Sequence, residues 1–275
     1  MQATVERHQL DRVRGLAKQL CGIHLDGSKD YLIRRRLNEL MVDEKIDNLQ
    51  DLLALAEAPY NRKIRERMVD ALTTHETLFF RDKSPFDALT QHIIPKLYRE
   101  AVGRPRLRIW SAACSTGQEP YSLAIACLES LPERSRWDIR IDASDVSVGT
   151  VEAAKRGRFQ NFELSRGLSP QQQSRYFRRE GNDYRIVDEV RGMVNFQVNN
   201  LLTSTPPGHD YDVIMCRNVA IYFTPADRRR IYQKMASALR PQGSLFLGCS
   251  EVPTNVSDLF KTVPLGRATS YQRIG

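Results

Sequence analysis

A chain of 275 residues, 41% of them apolar, can bury one large core and a smaller one. It has no run of about eighteen apolar residues and no apolar signal core at its start, which excludes a membrane-spanning helix and leaves a cytoplasmic protein as the simplest reading. The formal charge is +8, but residues 1–80 carry thirteen Lys/Arg against thirteen Asp/Glu, so all the excess lies beyond residue 80.

Residues 1–72 read as an all-α N-terminal domain, a separate small bundle. Residues 5–20 place Val13, Leu16 and Leu20 on one helical face. Ser28 is an N-cap candidate for a second helix ending near Val42, with Leu32, Ile33, Leu37, Leu40 and Met41 apolar. Residues 48–58 form a third helix, and Pro59-Tyr60 leads into a fourth that ends at Leu72. Arg34, Arg35 and Arg36, and later Arg62, Lys63, Arg65 and Arg67, concentrate positive charge within this neutral domain. Such a stretch is either a solvated helix face or a docking surface for an acidic partner.

Residues 73–90 form a linker that does not look like one. The segment 73–82 has no Gly or Pro, and its two phenylalanines are flanked by hydroxyl, imidazole and guanidinium groups. It is either a ligand lid or a junction packed by Phe79 and Phe80.

An α/β domain follows over residues 91–275. A strand at residues 107–110 enters a bend of small residues ending at Gly117, and a helix opens at Glu119-Pro120. This is either an ordinary strand–helix turn or the first crossover of a nucleotide-binding sheet, with free N–H groups aimed into the bend. A dinucleotide fingerprint needs G-x-G-x-x-G; here only Gly117 is glycine, so an adenosyl ligand is expected in place of a pyrophosphate. Residues 137–145 form a second strand. Asp145 at its exit could accept the hydroxyls of a ribose or cap a helix over residues 148–157, as could Ser144 and Ser147.

Residues 195–202 read as a third strand and 211–216 as a fourth, ending in Arg217-Asn218. Residues 175–180, 183–188 and 193–200 also alternate with period two about turns at Gly181-Asn182 and Arg191-Gly192. They suggest an antiparallel β-subdomain inserted at residues 175–200. Five widely spaced cysteines (Cys21, Cys114, Cys127, Cys216, Cys249) read as free thiols, and the scattered histidines give no metal-ligand spacing, so no metal is expected.

Five segments carry a family resemblance in the right order: Thr73-Thr-His-Glu-Thr-Leu-Phe-Phe-Arg81, Ser111-Ala-Ala-Cys-Ser-Thr-Gly-Gln-Glu-Pro-Tyr-Ser122, Ala143-Ser-Asp145, Asn200-Leu-Leu202 and Cys216-Arg-Asn-Val-Ala-Ile-Tyr-Phe223. Over nearly its whole length the chain resembles the CheR family of chemotaxis receptor methyltransferases. The resemblance implies a Rossmann-like sheet with a small antiparallel β-subdomain, preceded by a helical receptor-docking domain. It further implies transfer of methyl groups from S-adenosylmethionine to receptor glutamates, leaving S-adenosylhomocysteine, with no metal.

By position in these motifs, His75, Thr77 and Arg81 would reach the cofactor from the linker; His75 stands where several relatives have Asn. Glu119 and Asp145 would between them hold the amino-acid end and the ribose, in either assignment; Asn200 and Leu201 would flank the adenine, and Arg217 and Asn218 the sulfur side. Tyr222 would lie where the methyl leaves, with Tyr222 and Arg81 orienting the reactants. Arg34, Arg35 and Arg36 would dock the substrate. The implied partners are the cytoplasmic methylation helices of chemoreceptors, and regulatory adaptor proteins, met by a monomer at receptor arrays without nucleic acid or membrane insertion.

A glutamate carboxylate, with an ordinary pKa of about 4.3, is ionised at neutral pH and needs no general base, which suits the lack of a His/Asp pair. Two other classes compete. A nucleic-acid methyltransferase would suit the basic charge, but its Asn/Asp-Pro-Pro-aromatic signature belongs after the fourth strand, where Arg217-Asn218-Val219-Ala220 stands. An inactive docking module that binds S-adenosylmethionine is the other, and the intact Asp145 and Asn218 speak against it. Some relatives grip a receptor C-terminal pentapeptide beside a glycine-rich loop of the β-subdomain. The turn Glu180-Gly181-Asn182-Asp183 is short and has one glycine, so no such tether is expected here.

Overall fold

A computed structural model describes residues 7–27 and 30–274. Ser28, the expected N-cap, lies outside the described residues. The first four helices are α1 (Arg7–Cys21), α2 (Asp30–Glu44), α3 (Leu49–Glu57) and α4 (Arg62–Leu72). Asn48 and Asn61 start α3 and α4, their side chains accepting the backbone N–H groups of Asp51 and Ile64. Val13, Leu37, Leu52, Leu53 and Met68 are buried where the amphipathic pattern directs them inward.

After the linker, α5 (Ser84–Ala88) and α6 (Ile94–Glu100), joined by a π turn at Leu89–Ile93, lead to β1 (Arg106–Ala112). Then come α7 (Gln118–Ser130), β2 (Asp138–Asp145), α8 (Val148–Arg156), β3 (Arg158–Phe159), α9 (Asn161–Ser165), α10 (Pro170–Tyr176), β4 (Phe177–Glu180) and β5 (Asp183–Ile186). The chain continues through α11 (Asp188–Arg191), β6 (Val194–Val198), β7 (Tyr211–Cys216), α12 (Pro225–Ala238), β8 (Leu239–Leu247), β9 (Phe260–Leu265) and β10 (Ala268–Arg273).

Among the described residues these strands make a seven-stranded sheet in the order β6-β2-β1-β7-β8-β10-β9 and a three-stranded sheet in the order β3-β5-β4. In the large sheet β6, β2, β1, β7 and β8 run parallel, while β10 joins β8 and β9 in antiparallel pairs. The strand order switches sides at β1, with β2 and β6 on one side and β7 and β8 on the other, so the exits of β1, β2 and β7 open onto one crevice, the place where α/β sheets hold ligands. No helix among the described residues is long and apolar enough to cross a membrane.

Two expectations change. Residues 193–200 do not belong to the small sheet: Ile141 pairs with Val194 and Asp145 with Val198, which puts β6 at the edge of the large one. The third small-sheet strand is the two-residue β3, too short to show a period, and Arg175 and Tyr176 close a helix, not a strand. The core of the helical domain is also continuous with that of the sheet. A single buried cluster runs from Leu10 and Val13 through Leu72 to Trp110, Leu201, Phe223 and Met235 on one face of the sheet. At Gly22 (φ +78) the end of α1 comes so close that a Cβ would lie 2.4 Å from Leu202 Cδ1. The other face packs Ile109, Ile141 and Val213 with Phe79, Phe159 and Phe177. Phe79 meets the last two rings edge-on, at 5.0 and 5.5 Å, so the linker is anchored on the β-subdomain.

Candidate active site

The bend after β1 is more sharply turned than its composition suggested. Ala113 and Ser115 adopt left-handed φ values of 61° and 52° ahead of Gly117 at 97°. A non-glycine residue there costs on the order of 1–3 kcal/mol, strain that collects where a backbone must face a ligand. The bend, the linker and the helical domain enclose a cavity of about 260 Å³.

Asp145 forms its floor. The carboxylate is 7% exposed and accepts the backbone N–H of Ser115 (2.9 Å) and of Ser147 (3.0 Å). It does not cap α8; Ser147 does, accepting the N–H of Thr150. Burial pushes the Asp145 carboxyl above its ordinary value, against the opposing pull of those N–H groups and of nearby His75. A carboxylate has about four acceptor sites, so it can still accept from hydroxyl donors.

Glu119, in the first turn of α7, accepts from Ser111 Oγ (2.7 Å) and from Arg217 Nη1 (2.9 Å). Arg217 is almost wholly buried and donates as well to Asp82 (2.9 Å) and to the carbonyl of Arg81 (2.6 Å). Its Nε has no partner. Such a buried cation is held by pairing and hydrogen bonds together, and losing one partner would leave an uncompensated charge. The loop after β7 rests on Glu251, a buried carboxylate that accepts N–H groups from Asn218 (2.7 Å), Gly248 (2.7 Å) and Ile221 (3.3 Å). That grip holds Asn218 at φ 58° and places Tyr222 on the cavity wall.

His75, Thr77, Arg81, Glu119, Asp145, Leu201, Arg217, Asn218 and Tyr222 thus meet around one cavity. Asn200 does not. Its Nδ2 donates to the carbonyl of Leu20 (3.1 Å) and its Oδ1 accepts the N–H of Leu202 (2.9 Å), bracing the loop against α1. Its neighbour Asn199 lines the cavity, with Nδ2 on the carbonyl of Thr205 (2.7 Å). The His75 ring is occupied by Thr73 and Thr150, both at 3.1 Å.

The three arginines of α2 do not share a face, as successive helical positions cannot. Arg35 is exposed and pairs with Glu39 (3.0 Å). Arg36 turns inward, donates to the carbonyl of Thr73 (2.8 Å) and joins the cavity wall, and Arg34 is half-buried. The three arginines therefore do not form one docking face, and Arg36 belongs to the cavity wall. Sequence reasoning also missed Asn199, Asp82 and Glu251. A polar residue beside a recognised strand exit could have flagged Asn199; nothing local marks the other two.

The residues suit an adenosyl ligand: a buried acceptor at Asp145 stands beside apolar Val146 and Leu201, and no glycine-rich cradle is present for phosphates. Among the described residues no cluster of three or more His, Cys, Asp or Glu side chains could hold a metal ion.

Comparison with known proteins agrees. The CheR methyltransferase, SAM binding domain, matches residues 75–269, and the CheR methyltransferase, all-alpha domain, matches residues 8–73. A chemotaxis protein methyltransferase of Vibrio anguillarum is 41% identical over 255 residues, 92% of each chain. Chemotaxis protein methyltransferase 1 of Pseudomonas aeruginosa is 39% identical over 263 residues, 94% of this chain and 95% of its own. A further relative, from Listeria innocua, is 32% identical over 243 residues, 88% of this chain and 89% of its own. Both family domains in sequence, relatives matched along almost their full length, and a buried carboxylate at the strand exits lead to one conclusion: the chain belongs to the CheR methyltransferase family and is an S-adenosylmethionine-dependent methyltransferase.

Proposed function

We propose that the protein methylates glutamate side-chain carboxylates of methyl-accepting chemotaxis receptors, producing glutamate methyl esters and S-adenosylhomocysteine. The observation that carries this reading is a cavity that joins Asp145 and Glu119 on the sheet side to Arg81 and Tyr222, roofed by the helical domain. Bound S-adenosylmethionine supplies a methyl group activated by its positive sulfur. Asp145 holds the ribose hydroxyls, and Leu201 with Val146 covers the adenine. Arg81 and Tyr222 orient the acceptor carboxylate, and no side chain has to move a proton because that carboxylate is already ionised. Charge is neutralised as the methyl transfers, so a site closed to water favours the reaction, and the apolar residues Ile23, Leu25 and Leu32 of the helical domain help exclude it.

Arg34 and Arg35 dock the glutamate-rich receptor helix by long-range attraction. The protein works as a monomer in the cytoplasm at receptor arrays, where adaptor proteins regulate it. The test is incubation with methyl-labelled S-adenosylmethionine and receptor-containing membranes. Label should appear in receptor bands and leave as methanol on mild alkali, the behaviour of an ester. Label resistant to alkali, or label in RNA, would overturn the proposal.

A further inference from the structure

Asp145 sits in a closed circuit of hydrogen bonds that crosses three parts of the molecule. From its Oδ1 the circuit passes to the N–H of Ser147 (3.0 Å), and Ser147 Oγ lies 2.5 Å from Thr150 Oγ1. Thr150 Oγ1 is 3.1 Å from His75 Nδ1, the His75 carbonyl accepts from Ser115 Oγ (2.7 Å), and the N–H of Ser115 returns to Asp145 Oδ2 (2.9 Å). A branch leaves it for the helical domain: Ser147 Oγ donates to Asp70 Oδ1, on α4, at 2.5 Å. An ionised carboxylate only accepts, so the single hydroxyl hydrogen of Ser147 goes to Asp70. Ser147 Oγ accepts the backbone N–H of Thr150 (2.9 Å), which closes that link. His75 Nε2 faces only acceptors, the Asp70 carbonyl (3.2 Å) and Thr73 Oγ1, whose own hydrogen goes to the Val69 carbonyl, so Nε2 donates and Nδ1 accepts from the Thr150 hydroxyl.

The first turn of α8 has also been cleared for Asp70. A Cβ at Gly149 would lie 2.7 Å from Asp70 Oδ2 and would push that carboxylate oxygen aside, so glycine lets the carboxylate settle where the helix dipole favours negative charge. Ser147 and Thr150 are buried, so neither hydroxyl has water to replace a lost partner.

We propose that Asp70, Ser147 and Thr150 are positioning residues of the cofactor site. They clamp the helical domain and the linker to the exit of β2, and so fix the spacing between Asp145 and the linker residues Thr77 and Arg81. This rests on the reading of the cavity as the cofactor site. Calorimetric titration of S-adenosylhomocysteine into the full chain and its variants tests it. Thr150→Val keeps the shape and removes only the hydroxyl; it should weaken binding about tenfold, the scale of one buried hydrogen bond. Thr150→Ser keeps the hydroxyl and should stay within about twofold of the parent. Gly149→Ala, which forces the Asp70 carboxylate to shift against Ser147, should weaken binding as Thr150→Val does. A Thr150→Val variant that binds like the parent would overturn the clamp, as would a Thr150→Ser variant as weak as Thr150→Val, since packing alone would then explain the loss. Failure of the unsubstituted chain to bind would instead overturn the cofactor-site reading on which the clamp depends.

Discussion

Asp145 has to be both buried and charged, and that conflict sets its pH behaviour. Hydroxyl donors bind its ionised form, while burial raises its folded pKa above the unfolded value of about 3.9. Affinity for S-adenosylhomocysteine should therefore fall on acidification at a higher pH than an exposed Asp would give, which calorimetry across that range would show. The contribution of Asp145 to the stability of the ligand-free protein should move the other way. It falls as pH rises from about 3.9 to the folded pKa, because the native state holds the proton more tightly there, and is level above it. Asp145→Ala should abolish measurable binding, each lost bond to the charged group costing about 1.5–3 kcal/mol; unchanged affinity would remove Asp145 from the site. Tyr222→Phe should lower turnover more than cofactor affinity, and equal losses in both would make it a binding residue only. At this scale the sequence was readable where a polar side chain ended an apolar strand, as with Asp145 and Arg217. It pointed to Asn200 where Asn199 lines the cavity, because adjacent residues in a loop point apart and only the fold decides which one faces inward.

Helix α2 sends its arginines into different surroundings, Arg35 to solvent and Arg36 to the cavity wall. Arg34→Glu with Arg35→Glu should weaken receptor methylation most at low salt, since exposed charges act over about 8 Å at physiological ionic strength, and should leave S-adenosylhomocysteine affinity alone. Arg36→Ala should lower that affinity, having released the carbonyl of Thr73 at the start of the linker. Methylation assays at two salt concentrations, paired with calorimetry, separate the two effects; a loss of cofactor binding in the Arg34/Arg35 variant would contradict the division. The β-subdomain keeps the short hairpin read from its sequence, with β4 and β5 joined across Gly181-Asn182. A free receptor C-terminal pentapeptide should accordingly show no saturable micromolar binding by titration. The central strands β2 and β7 could be read almost residue by residue from their apolar pattern. Which sheet β6 joins could not, since alternation marks a strand without naming its partner.

In the whole molecule, the helical domain and one face of the sheet share their buried side chains. Heating the intact protein should therefore give one cooperative transition, seen together by calorimetry and by near-ultraviolet circular dichroism; two separate transitions would show that the helical domain folds on its own. Composition gave no hint of this, because the amphipathic faces of α1 to α4 look the same whether they meet each other or a sheet. The grip of Glu251 on the loop after β7 has a consequence for how the enzyme comes into being. Its carboxylate arrives about thirty residues after the loop it supports, and chains are made from the N-terminus. Every motif that touches the cavity has left the ribosome before the residue that sets Asn218 and Tyr222 in place. A message cut short ahead of Glu251 would thus encode all the recognisable motifs and still yield a chain whose acceptor side is unformed.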